Sequence, residues 1–185
     1  MCKSVCLIHR RFDRESREFC EAVRSELQRR NVPVTIDRAF DVFNFFKRHR
    51  TYGIAIGIDF YRDQYSGSGL TLNRVCSRLG REVACNLSNA IDSVMPEVAW
   101  RRFDIVDSYH REWWRFYNHV SARVKAIFYL CTKTNAIDLD VYRTHRDEVV
   151  VLFADEIIRC LRSDFDYNNY IQRVKMNNNK RNGRK

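Results

Sequence analysis

Gly53 to Asp59 reads GIAIGID, a run of small and β-branched apolar residues that ends on an acid. It is apolar on both of its faces, as a central parallel strand covered on both sides must be. The stretches around it alternate in kind. Ser4 to Ile8 is a short apolar strand, and Glu15 to Arg30 has helical spacing with Phe19, Ala22, Val23 and Leu27 on one stripe. Asn31 ends that helix, and Val32 to Ile36 is a second strand. The phenylalanines between Phe40 and Phe46 predict a short buried helix.

Beyond the central strand, Arg62 to Gly69 is expected as the main loop, followed by a long helix from Leu72 to Met95 that Pro96 closes. Trp100 to Tyr109 predicts an irregular strand and Arg111 to Val124 a helix. Ala126 to Cys131 and Ala136 to Val141 are expected as strands, and Arg146 to Leu161 as an amphipathic helix. Strands alternating with helices predict an α/β fold, a mainly parallel central sheet with helices on both faces. The single domain is expected to span residues 1–162. The polar, basic stretch 163–185 is expected to be a disordered tail.

The 185 residues are 45% hydrophobic and 13% aromatic, enough for a packed core, and carry a formal charge of +10. Charge of this size concerns partners and not fold. It suits a nucleic acid, an acidic protein or an anionic cell-wall polymer. The seven cysteines form no CxxC pair and no zinc-finger spacing, so they are expected as small buried apolar groups in a reducing compartment. The apolar part of MCKSVCLIHRR is too short for a signal peptide, and no run approaches a membrane span. The expected location is the cytoplasm.

The basic residues gather at Arg10, Arg11 and Arg14, at Lys47, Arg48 and Arg50, at Arg101 and Arg102, and at Lys180, Arg181, Arg184 and Lys185. With Tyr61, Tyr65, Trp113 and Trp114 nearby, they form a candidate binding surface for nucleic acid, against the plainer alternative of solvated helix faces paired with local acids. His110, His119 and His145 lack zincin spacing, and no Walker loop, GxGxxG or GxSxG occurs.

In their order these elements resemble the zinc-dependent N-acetylmuramoyl-L-alanine amidases of the third family, cell-wall hydrolases of bacteria and phage endolysins. GIAIGIDFYRD (Gly53 to Asp63) is similar to the family's apolar strand and histidine motif. SGSGLTLNRVCSRLGREVACNLSNAI (Ser66 to Ile91) is similar to its glycine turn and long helix, and Phe128 to Leu161 to its closing part. The resemblance implies a zinc held by two histidines and a glutamate, with a second glutamate as general base. Carried over, His9 takes the first histidine's place and Glu15 or Glu18 the glutamate's. Asp59 stands where the second histidine would be, and Asp140, one methylene shorter, where the base would be.

Such departures imply a decayed zinc site. Arg10 and Arg11 put positive charge beside a cation site, and a base displaced by ~1 Å costs about 10²-fold in rate. The reading that follows is an inactive amidase-like protein, of phage origin and working in its host's cytoplasm, that binds nucleic acid or an acidic protein without a cofactor. The alternative is a divergent zinc amidase acting on peptidoglycan. A second alternative is an RNA- or DNA-binding module, because the first third also resembles the anticodon-binding domain of class II tRNA synthetases. Asp138 and Asp140, two apart on an expected strand, would share a face, either to bind metal or to cap the sheet edge and pair with arginines.

Overall fold

The computed structural model describes residues 5–10, 12–38, 51–62, 67–73, 78–98, 100–106, 116 and 120–182. Six strands, β1 (Val5–His9), β2 (Val34–Arg38), β3 (Thr51–Tyr61), β4 (Ser68–Asn73), β5 (Trp100–Val106) and β6 (Ser121–Thr132), form one sheet in the order β2-β1-β3-β6-β4-β5. The first four in that order run parallel, β4 is antiparallel to β6, and β5 follows β4 in parallel. The mainly parallel α/β sheet expected from the sequence is therefore present.

Three long helices are described, α1 (Arg14–Arg29), α2 (Arg78–Val94) and α3 (Ala136–Asn182). Asp13 starts α1 by accepting the Ser16 amide, 3.0 Å away. Asn31 ends it with φ at 60°, a left-handed conformation that asparagine tolerates better than most residues. All three helices pack on one face of the sheet. Phe19, Val23 and Leu27 of α1, Val83, Leu87 and Ile91 of α2, and Val149, Phe153 and Ile157 of α3 share a core with Leu7, Ile56 and Phe128. On the other face, Cys6, Ile8, Ala55 and Ile127 pack against Val120 and Phe116, which is helical. The central strand is thus buried on both sides, which is why its sequence shows no polar alternation.

Cross-links between helices lie at the rim of the core. Arg159 of α3 forks onto Glu156 at 2.7 Å through two nitrogens and reaches Glu82 of α2 at 2.9 Å. Arg30, just past α1, pairs with Glu26 and with Asp155 of α3. Cys6, Cys20, Cys131 and Cys160 are buried, as their apolar surroundings predict, and Cys85 is exposed. Burial pushes the thiols of Cys20 and Cys131 up, the latter to about 12, so both stay protonated at neutral pH.

Three expectations fail locally. Ala136–Val141, expected as a strand, is the first turn and a half of α3, so Asp138 and Asp140 do not share a strand face. Asn135 caps this helix, its side-chain oxygen accepting the amides of Ile137 (3.0 Å) and Asp138 (3.3 Å). The expected loop up to Gly69 and the start of the long helix hold β4 instead, and α2 begins at Arg78. Residues 121–124, expected at the end of a helix, open β6. Helix α3 runs on through 163–182, the stretch that the sequence pattern leaves as a polar tail. The helix expected at Phe40 to Phe46 lies outside the described residues.

Candidate functional site at the sheet edge

The parallel strands β1, β3 and β6 end together, and the chain from each end enters this edge. In parallel pairing, residues in register point to the same face. His9 is in register with Ile58, so the next residue of β3, Asp59, points to the opposite face. The packing agrees. Leu7, Ile56 and Ile58 belong to the core under the helices, whereas Ile8 and Ala55 belong to the core on the other face. His9 and Asp59 are consequently parted by the sheet itself.

Each has its own partner. His9 is buried, and its Nδ1 lies 2.9 Å from the Arg10 carbonyl, which makes Nδ1–H the donor. Burial pushes its pKa down, helped by the nearby Arg38 and Arg17, and this outweighs the carbonyl contact. Asp59 is fully buried. One carboxylate oxygen accepts the Phe60 amide at 2.8 Å and the other faces the Arg10 guanidinium at 3.4 Å. In β6 the residue in register with Asp59 is Tyr129, whose ring stacks on Tyr61 at 4.3 Å. Gly69 leaves room for the Tyr61 ring, because a Cβ there would collide with it.

A second cluster, unforeseen in the sequence, lies between β3, β6 and α1. The buried Asp13 carboxylate takes Arg62 at 2.7 Å and Lys133 at 3.5 Å, and Lys133 also pairs with Glu15. Burial alone would raise the pKa of Asp13, but the Ser16 amide, Arg62 and Lys133 together hold it below the ordinary carboxylate value. The Lys133 hydrogen bond likewise holds Glu15 low. Asp13, three residues before Ser16 and two before the expected Glu15, is a helix-start signal that could have placed Asp13 itself, though nothing local announces Arg62 and Lys133.

Glu18, the other candidate ligand, pairs with Arg14 at 2.6 Å, beside α3. Asp140 is exposed on α3. β6, the strand that precedes the closing helix, carries no carboxylate at all. Of the basic candidates, Arg10 is tied to Asp59 and Arg14 to Glu18. Arg101 and Arg102 lie on β5, and Lys180 and Arg181 in the last turns of α3. Arg11, Lys47, Arg48, Arg50, Arg184 and Lys185 lie outside the described residues.

A hydrolytic zinc needs three converging donors and an open position. Among the described residues no three of His, Cys, Asp and Glu are grouped to hold a metal. His9 and Asp59 face opposite ways, and Arg10, Arg62 and Lys133 neutralise the carboxylates that could coordinate. Among the described residues, those carried over from the family do not fit an amidase zinc.

The fold itself, however, is one that solved structures share. The N-acetylmuramoyl-L-alanine amidase of Clostridium difficile 630 superposes with a TM-score of 0.63 at 7% identity, over 88% of this chain and 98% of that one. This chain has an amidase fold. The amidase of Nostoc punctiforme matches this amidase-fold protein with a TM-score of 0.55 at 13% identity, over 86% and 98% of the two chains. The amidase Ami1 of Mycobacterium smegmatis gives 0.53 at 9% identity, over 88% and 98%. No family model and no curated protein matches the sequence. No described helix is long and apolar enough to cross a membrane.

The Asp13 cluster carries a prediction. A carboxylate whose pKa is lowered by folding contributes stability above its unfolded value, about 3.9, and loses it as pH falls through the lower native value. Asp13→Asn can still accept the Ser16 amide but cannot pair with Arg62 or Lys133. It is expected to lose about 1–2 kcal/mol at neutral pH. The loss should shrink below about pH 4, where the unfolded wild-type carboxylate takes up a proton that the native one still refuses, and fade as pH falls through the lower native value. Urea titrations of both proteins from pH 7 to pH 3 check this, and parallel curves over that range would contradict it.

Proposed function

We propose that this amidase-fold protein binds a peptidoglycan-derived ligand at the C-terminal edge of its sheet and does not hydrolyse it with zinc. The ligand class is suggested by the names of the solved neighbours, which are N-acetylmuramoyl-L-alanine amidases. The observation that carries the proposal is the Arg10–Asp59 pair on one face with His9 on the other, where a shared metal would need them together. The formal charge of +10 favours adhesion to anionic wall material. A nucleic acid or an acidic protein as partner rests on that charge alone.

The second reading is a divergent hydrolase, favoured by the breadth of the structural match. One experiment separates the two. Purified cell-wall sacculi are incubated with the protein, with and without added zinc, and both sedimentation and release of soluble peptide are followed. Co-sedimentation without peptide release is expected, unchanged in kind by zinc. Zinc-dependent release that His9→Ala abolishes would establish the hydrolase instead. Failure to sediment would remove the ligand assignment.

A further inference from the structure

A cavity of about 300 Å³ lies between the first turns of α1 and the second turn of α3, lined by Arg14, Glu15, Glu18, Tyr142, Arg143 and Arg146. This is the lower end of the size range for small-molecule sites. Tyr142 in its wall is 2% exposed, yet among the described residues its hydroxyl finds no acceptor, the Arg146 guanidinium beside it being itself a donor. A buried hydroxyl whose proton has no acceptor leaves part of its desolvation uncompensated and points to an acceptor from outside. The ring cannot swing away to find one, because Phe60 meets it edge-on at 5.1 Å and Phe19 lies at 6.3 Å. Burial pushes its pKa up, so it remains a donor at any physiological pH.

The charges around it say what kind of acceptor. Three guanidiniums line the cavity against two carboxylates, and both carboxylates are already engaged, Glu15 with Lys133 and Glu18 with Arg14. Arg146 donates to the Glu18 carbonyl at 3.2 Å and pairs with the exposed Asp147 at 3.2 Å, which holds its guanidinium between the helices. The net excess of one positive charge matches a monoanion and disfavours a phosphate dianion beside two glutamates. We propose that this cavity is a subsite for a carboxylate of a short peptide, held by the Tyr142 hydroxyl and the Arg143 and Arg146 guanidiniums. The proposal deepens the peptidoglycan reading and rests on it, since a stem peptide supplies such carboxylates.

The test uses the full chain and the dipeptide L-Ala-D-Glu, its doubly amidated form and inorganic phosphate, titrated by calorimetry. The free dipeptide should bind and the amidated form should not. Tyr142→Phe, which deletes a hydroxyl without an acceptor, should leave Tm nearly unchanged while weakening the dipeptide about tenfold. Arg143→Met, at an exposed position, should weaken it by a similar factor. Equal binding of the amidated dipeptide, tighter binding of phosphate, or unchanged affinity in both variants would overturn the subsite. If the subsite fails while sacculi still sediment with the protein, the broader reading stands. If the dipeptide binds but sacculi do not, the subsite is a peptide site and the peptidoglycan reading falls.

Discussion

Phe153→Ala is expected to destabilise the protein by about 3–5 kcal/mol, the range for removing a fully buried aromatic ring. Phe153 projects from the middle of α3 with no exposed surface. Its ring meets Phe19 of α1 edge-on at 5.2 Å and Phe128 of β6 at 5.1 Å. One side chain therefore joins the first helix, the last helix and a central strand. The neighbouring rings are themselves pinned by the sheet and by α1, so the hole left by alanine cannot close by a small shift. Aromatic pairs add about 0.5–1.5 kcal/mol each beyond the area they bury, and two such pairs are lost at once. Against a typical stability of about 5–15 kcal/mol, this is a large share.

Urea unfolding followed by far-UV circular dichroism measures the effect. Val151→Ala, two residues away and 39% exposed, should cost below about 1 kcal/mol and serves as the reference. A loss under about 1.5 kcal/mol for Phe153→Ala would mean that the helical layer can collapse onto the gap. The assignment of this ring as the junction of the core would then be wrong.

The core was legible because apolar runs and stripes report burial directly. GIAIGID predicts a strand covered on both faces, and Ile54, Ala55, Ile56 and Ile58 are buried on both faces. The stripe Phe19, Val23 and Leu27 predicts the inner side of α1 correctly for the same reason. Element type failed where two periodicities compete over a short stretch. Ile137, Leu139 and Val141 alternate with Asp138 and Asp140, which reads as a half-buried strand. In the helix the pattern inverts, with Ile137 72% exposed and Asp138 2% exposed. The capping signal was present, Asn135 followed three residues later by an acid, and it outweighs alternation because it satisfies amides that a helix start would otherwise leave without partners.

β4 was hidden differently. Two of its six residues are Ser68 and Gly69, and its pairing with β6 is antiparallel, so neither composition nor the parallel pattern of the neighbouring strands announces it. The candidate site was legible as a place and not as a constellation. His9, Asp59 and Glu15 do come to the same sheet edge, because all three lie where parallel strands end or the following helix begins. Which of them share a face depends on register, and register is a property of strand pairs that single-strand patterns do not contain. Likewise Lys133 and Arg62 reach Asp13 from 120 and 49 residues away, distances over which no local motif speaks.

Asp138→Ala is expected to cost about 2–4 kcal/mol although it removes no apolar contact. The carboxylate sits in the first turn of α3, nearly fully buried, where negative charge also meets the positive end of the helix. One of its oxygens accepts the Gly67 amide at 2.6 Å and the Thr132 amide at 3.3 Å. Thr132 in turn donates its hydroxyl to the Gly67 carbonyl at 3.2 Å, and Ser68 donates to the Leu130 carbonyl at 2.7 Å. Together these bonds fasten the entry of β4 to the end of β6, at a turn where Gly67 adopts a φ of 127° that other residues rarely take.

Alanine would leave two buried amides without an acceptor, each costing about 1–3 kcal/mol, and would strip the charge from the helix start. Water cannot easily replace the carboxylate, because the Gly67 and Thr132 amides face inward among buried groups. Asp138→Asn keeps one acceptor oxygen but loses the charge assistance, so about half of the loss is expected. Amide hydrogen exchange gives the site-specific readout. In Asp138→Ala the Gly67 and Thr132 amides should exchange much faster, while those of α1 and of the Phe153 region change only as far as global stability falls. Uniform acceleration across the sheet, or an asparagine variant as damaged as the alanine one, would show that Asp138 matters for its charge to the whole fold and not for joining β4 to β6.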